Sequence, residues 1–157
     1  MKVKFWMIGK TAETYLEKGM AIYEKRLPHY LPFQAEVLSD IKQAKNMDQP
    51  TLKQREGESI LKKLDNRDFM VLMDENGKQF RSVDFAEQIE RWSIQGIDTL
   101  VFLIGGAYGF SDEVYERANF KMSLSPMTFS HQMVRLIFLE QLYRACSINK
   151  GEPYHHE

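Results

Sequence analysis

"VFLIGGAYGF", residues Val101 to Phe110, runs four apolar residues directly into two glycines and reaches a third at Gly109. The apolar segment "TLVFLI", Thr99 to Ile104, has strand length and no polar face, the pattern of a strand covered on both sides in a parallel sheet. Such sheets bind ligands at the carboxyl ends of their strands. The bare loop occupies one of those ends.

Working outward, "VKFWMI" (Val3 to Ile8) places Val3, Phe5 and Met7 on one face and Trp6 and Ile8 on the other, a second doubly covered strand. "AETYLEKGMAIYEKRL" reads as a helix, with Gly9 as a turn residue and Thr11 as its cap. "FQAEVLS", Phe33 to Ser39, reads as a strand after Pro32, and Asp40 to Gln49 as a polar surface loop. Thr51 and Gln54 match a capping box opening a helix over "LKQREGESILKKL", with Leu52, Ile60, Leu61 and Leu64 as its apolar stripe. "FMVLM", Phe69 to Met73, is a strand followed by the turn "DENGK" with Asn76-Gly77. Ser82 opens a helix carrying Phe85, Ala86, Ile89 and Trp92 and ending near Gly96.

Past the glycine loop come the short helix "SDEVYERA" capped by Ser111, the short strand "FKMSLS", the turn "SPMTFS" and a closing helix, "HQMVRLIFLEQLYRACSI". This alternation predicts an α/β fold, a mostly parallel sheet with helices on both faces. The closing helix is apolar on nearly every side, so it is either the central helix of the domain or half of a subunit interface. No repeat or linker divides the 157 residues, and a single domain over 1–157 is expected.

Composition excludes several classes. At 43% hydrophobic and 27% charged the chain is globular, and no stretch approaches the length of a membrane span. A lone cysteine, Cys146, allows no internal disulfide and points to a cytoplasmic address. The net charge of −1 argues against gripping nucleic acid through a broad basic field, so any RNA contact is local or shape-based.

Two phosphate-binding templates fail. "IGKTAET" ends like a P-loop, but Lys4 stands where the first glycine belongs, and "IGGAYGF" has the wrong spacing for the dinucleotide fingerprint. The loop is either a tight strand-to-helix turn or a surface where a flat ligand such as adenosine touches backbone directly. "LSPMTFSH", Leu124 to His131, is either a proline turn with Ser130 as N-cap or a second ligand wall built on Leu124, Met127 and Phe129. Arg144, four residues after Glu140, has the order of a helical ion pair. Arg144 and Arg135 each need a partner or an anion on so apolar a helix. The tail "KGEPYHHE" offers an aromatic face at Tyr154 and imidazoles at His155 and His156, should it fold back over the glycine loop. No spacing resembles a metal site.

"FLIGGAYGF", "LSPMTFSHQMVRLIFLEQLYRA" and the closing "GEPYHH", with a looser likeness over "YEKRLP" and "KQREGESIL", resemble the RlmH (YbeA-like) family of SPOUT methyltransferases. The resemblance implies a SPOUT-type α/β knot, a deep trefoil in the carboxyl-terminal segment, which pattern reasoning would not propose. It also implies a homodimer. The implied activity is methylation of N3 of a pseudouridine in 23S ribosomal RNA of the assembled ribosome. S-adenosyl-L-methionine would be the methyl donor and S-adenosyl-L-homocysteine the product.

Matched by position, the implied cofactor pocket comprises Met73, Gly105, Leu124, Ser125, Pro126, Met127, Thr128 and Phe129. Tyr154, His155 and Arg144 are the implied residues for RNA positioning or proton removal. Two positions depart from the family's usual pattern: Ser130 stands for a proline, and His156 for Arg or Lys. Two other readings are a non-catalytic ribosome-associated protein of SPOUT fold and a SPOUT methyltransferase acting on tRNA.

Overall fold

The computed structural model describes residues 1–38 and 41–156. Among the described residues five strands and five α-helices alternate: β1 (Lys2–Ile8), α1 (Thr14–Arg26), β2 (Phe33–Leu38), α2 (Gln49–Lys63), β3 (Phe69–Gln79), α3 (Ser82–Ile94), β4 (Thr99–Ile104), α4 (Asp112–Arg117), β5 (Phe120–Ser123) and α5 (Met133–Asn149). The strands form one sheet in the order β2-β1-β4-β3-β5, and every pairing is parallel. The α/β reading is borne out. Ser39 and Asp40 lie outside the described residues.

The two-faced pattern of β1 divides the core as its sequence requires. Val3, Phe5 and Met7 join Val71, Phe102 and Phe138 on one side, while Trp6 and Ile8 join Met70, Leu72, Val101 and Leu103 on the other. Helices α1, α3 and α5 cover the first face; Ile60 of α2 and Val114 of α4 close the second. Phe138 packs from α5 over the paired strands β1 and β4, its ring centroid 4.8 Å from those of both Phe5 and Phe102.

Helix α5 is therefore a central helix, packed between α1 and α3. Phe138, Leu139, Leu142, Ala145 and Cys146 are buried, whereas Leu136, Ile137, Glu140, Tyr143 and Arg144 are half-buried.

Three local expectations change. Thr11 does not cap α1: Glu13 holds the cap position, and the Thr11 hydroxyl accepts from Arg135 at 3.1 Å. A buried guanidinium with several N–H groups to satisfy claims that hydroxyl. The Thr51–Gln54 capping box is not formed either, because Asp48 caps α2 by accepting the Thr51 N–H at 2.8 Å and Pro50 fits the first turn. Helix α2 accordingly begins at Gln49, inside the segment read as loop.

The "DENGK" turn does not end its strand. Strand β3 continues to Gln79 through an excursion whose two ends, Met73 and Lys78, pair with the same residue, Met122. Gly77 makes the return possible: a Cβ there would lie 2.6 Å from the Met122 backbone.

Candidate active site

Parallel strands bring their carboxyl ends to one edge of the sheet, and a cavity of about 570 Å³ opens there. Met73 and Asp74 contribute from β3, Ile104 and Gly105 from the end of β4, and Ser123 and Leu124 from the end of β5. The second wall is the segment 124–131, with Ser125, Met127, Thr128, Phe129, Ser130 and His131. The volume suits a nucleoside-sized ligand.

Serine hydroxyls shape that wall. Ser123 Oγ donates to the Ser125 carbonyl at 2.9 Å, and Ser125 Oγ accepts the Met127 N–H at 2.9 Å. Ser130 Oγ accepts the Met133 N–H at 2.9 Å from two residues ahead of the cap position, which Gln132 holds in place of the Ser130 read from sequence. The half-exposed or exposed side chains of Leu124, Met127 and Phe129 leave apolar surface at the opening.

The glycine loop is bare partly for an internal reason. A Cβ on Gly105 would meet the Phe110 ring at 2.9 Å, so the residue must lack one for Phe110 to close the floor. The same absence leaves the Gly105 backbone open to the cavity, where the residue is part of the lining.

Of the eight residues matched to the cofactor pocket, seven line this cavity: Met73, Gly105, Leu124, Ser125, Met127, Thr128 and Phe129. Pro126 does not; it is exposed at the loop's turn. Among the described residues, the lining contains the carboxylates of Asp74 and Glu75 but no lysine or arginine. An adenosyl sulfonium fits this donor set, whereas a nucleotide phosphate would face carboxylates without a compensating cation.

Arg144, Tyr154 and His155 gather elsewhere. The tail returns onto α5 and not over the glycine loop, because Glu140 draws it there: Glu140 accepts from Arg144 and from the Tyr154 hydroxyl, the latter at 3.0 Å. The Arg144 guanidinium stacks on the Tyr154 ring, 4.7 Å from its centroid, and donates to His155 Nδ1 at 3.1 Å. Tyr143 packs edge-on against Tyr154 at 4.8 Å. Burial first, then hydrogen bonds with Tyr23 and Glu140, raises the Tyr154 pKa well above the usual phenol value. Its hydroxyl is thus a proton donor that holds Glu140. None of the three residues lines the cavity of its own chain.

Sequence reading missed Asp74 and Tyr115, both in the cavity lining and hydrogen-bonded to each other. Asp74 lay inside an apparent turn and Tyr115 inside a short exposed helix, so neither carried a pattern. It also left the partner of Arg135 open. That side chain is fully buried and donates to the carbonyls of Ile8 at 2.7 Å and Gly9 at 2.8 Å.

A parallel α/β protein with a cavity between a bare glycine loop and a structured loop at the strand ends has the architecture in which open α/β sheets hold small ligands. The match is specific: residues 1–155 fit the family described as "Predicted SPOUT methyltransferase", and the chain belongs to that family. It is 55% identical to a protein of Christiangramia forsetii named ribosomal RNA large subunit methyltransferase H, covering 99% of both chains. It is 52% identical to proteins of the same name from Flavobacterium psychrophilum, over the full length of both, and Cytophaga hutchinsonii, over 99% of this chain and all of the other.

Proposed function

We propose that this protein is a cytoplasmic methyltransferase that acts on N3 of a pseudouridine in 23S ribosomal RNA, on the assembled ribosome. The observation that carries the cofactor assignment is the cavity's chemistry: apolar walls, open glycine backbone and two carboxylates without a lysine or arginine among the described lining residues. The names of the full-length relatives support the RNA class. No described helix is long and apolar enough to cross a membrane.

S-adenosyl-L-methionine, when bound, supplies an activated methyl group and leaves as S-adenosyl-L-homocysteine. Met73, Gly105, Leu124, Ser125, Met127, Thr128 and Phe129 would hold it, with backbone groups reading the adenine edge and apolar side chains enclosing the ring, while Pro126 shapes the turn between them. The protein's remaining work is alignment of N3 and removal of its proton, because a protonated imide nitrogen is a poor nucleophile. His155 takes the N3 proton at Nδ1 once Arg144, which donates to that nitrogen here, turns to the RNA; there Arg144 stabilises the developing imide anion or a phosphate, and Tyr154 is held beside them through Glu140.

In this reading those residues come from a second copy. Val134 of α5 lines the cavity and Arg144 lies ten residues further along the same helix, about 15 Å at the α-helical rise. We infer a homodimer in which α5 helices pack against each other, bringing the tail cluster of one protomer to the cavity of its partner. The half-buried Leu136 and Ile137 on α5 and the exposed Tyr15 and Ile22 on α1 support that interface. The single-domain trefoil knot belongs to the same reading: β5 pairs at the sheet edge before the chain turns through 124–131 into the central helix.

Tritiated methyl transfer tests the function. Ribosomes from cells lacking this modification should become labelled on a pseudouridine-derived nucleoside identified by mass, and free tRNA should not. Labelled tRNA would move the assignment to tRNA. Absence of S-adenosyl-L-methionine binding at millimolar concentration would instead leave a non-catalytic ribosome-associated protein.

A further inference from the structure

The excursion of β3 between Met73 and Lys78 lifts Asp74 out of the sheet and into the cavity wall. Its carboxylate is fixed from two sides. Oδ1 accepts the Asn76 N–H at 2.8 Å, and Oδ2 accepts the Tyr115 hydroxyl. Tyr115 is itself held: its ring stands perpendicular to that of Phe110 at 5.7 Å, and Lys121 Nζ lies 5.7 Å from its centroid. Burial, then the hydrogen bond to Asp74, pushes the Tyr115 pKa up, so the phenol stays a donor and the carboxylate its acceptor. None of the ion pairs among the described residues includes Asp74. A fixed carboxylate in the lining, not neutralised by a lysine or arginine, attracts a cationic ligand.

We propose that Asp74, oriented by Tyr115, reads the charge of the sulfonium and makes the cavity prefer the methyl donor over the neutral thioether left after transfer. The inference rests on the cofactor assignment above. Donor and product share adenosine, ammonium and carboxylate. They differ by one methyl group, which leaves the sulfur without the bonding electrons, and by the positive charge those electrons cancel. Only a group that senses that charge can separate them strongly, since one methyl group discriminates weakly. Loss of the attraction at the moment of transfer favours product release.

Calorimetric titration of the intact protein with S-adenosyl-L-methionine, S-adenosyl-L-homocysteine and the analogue carrying a charged amine in place of the sulfonium tests this. Asp74→Asn removes the charge and keeps an oxygen for the Asn76 N–H, its amide N–H donating to the Tyr115 hydroxyl in place of the bond it accepted. It is expected to weaken both cationic ligands about tenfold and the thioether less than about twofold. Tyr115→Phe leaves the charge but frees its position, and should reduce the preference by about threefold. Equal weakening of all three ligands would overturn the proposal, placing Asp74 on a part they share, and so would no change. Should Asp74→Asn fail to fold by circular dichroism, an unaltered preference in Tyr115→Phe would overturn it. If the unmodified protein binds none of the three ligands at millimolar concentration, the cofactor assignment falls, and this inference with it.

Discussion

The guanidinium of Arg135 donates to the Gly9 carbonyl across 126 positions of sequence. With its second bond to Ile8 and a third to Thr11 Oγ1, it closes the first turn of α5 onto the end of β1. Gln132 joins the clamp by accepting the Ala12 N–H and donating to the Lys10 carbonyl.

Removing the clamp leaves buried carbonyls without donors. Arg135→Leu should destabilise the protein by about 3 kcal/mol in urea unfolding, and Arg135→Lys by less because one bond can be kept. A loss below about 1 kcal/mol for the leucine variant would show that water reaches these carbonyls and that the clamp is not a structural necessity.

Gly105 and Phe110 are predicted to be coupled. Gly105→Ala should destabilise by about 1–3 kcal/mol through overpacking against the ring and weaken S-adenosyl-L-methionine binding roughly tenfold. Phe110→Leu in the same chain should restore part of both, and a strictly additive double variant would dissociate the glycine from the ring.

Cys146 should be inert in the folded protein. Burial pushes its thiol up to about 12 from its usual value near 9, so the thiolate is scarce in neutral solution. Because the folded pKa is the higher one, the associated stability is full below pH 9 and is lost as pH rises through about 12. Alkylation at pH 8 should therefore track unfolding in urea; labelling at the free-thiol rate without denaturant would contradict the burial.

His155→Ala should lower kcat by about a hundredfold or more at saturating ribosome if the imidazole takes the N3 proton. A rise in KM alone would assign it to RNA positioning. Mixed dimers separate the chains: one protomer altered at His155 and the other at Gly105 should retain one working site if the tail serves the partner's cavity. A dimer no more active than either parent homodimer would place each tail in its own site.

The sheet was legible because β1 and β4 are buried on both sides: Val3, Phe5 and Met7 face one layer and Trp6 and Ile8 the other, and no polar residue breaks Leu100 to Ile104. Local caps were less legible. Asp48 and Thr51 are both good capping residues, and which one wins depends on where the chain must enter its layer. Thr11 was lost to a partner more than a hundred positions away, which no local pattern encodes. The cavity's walls were matched through family likeness, but Asp74 joined them only because β3 bulges where its sequence resembles a terminating turn.

That bulge has a consequence for how the protein can change. The segment from Asp74 to Gly77 leaves the sheet and rejoins it at the same partner, Met122, so its length is decoupled from strand register. Inserting residues ahead of Gly77 could raise or reshape one rim of the cavity while β3 and β5 stay aligned. The excursion is thus a natural graft point, where altered ligand preference can be engineered with little risk to the parallel sheet.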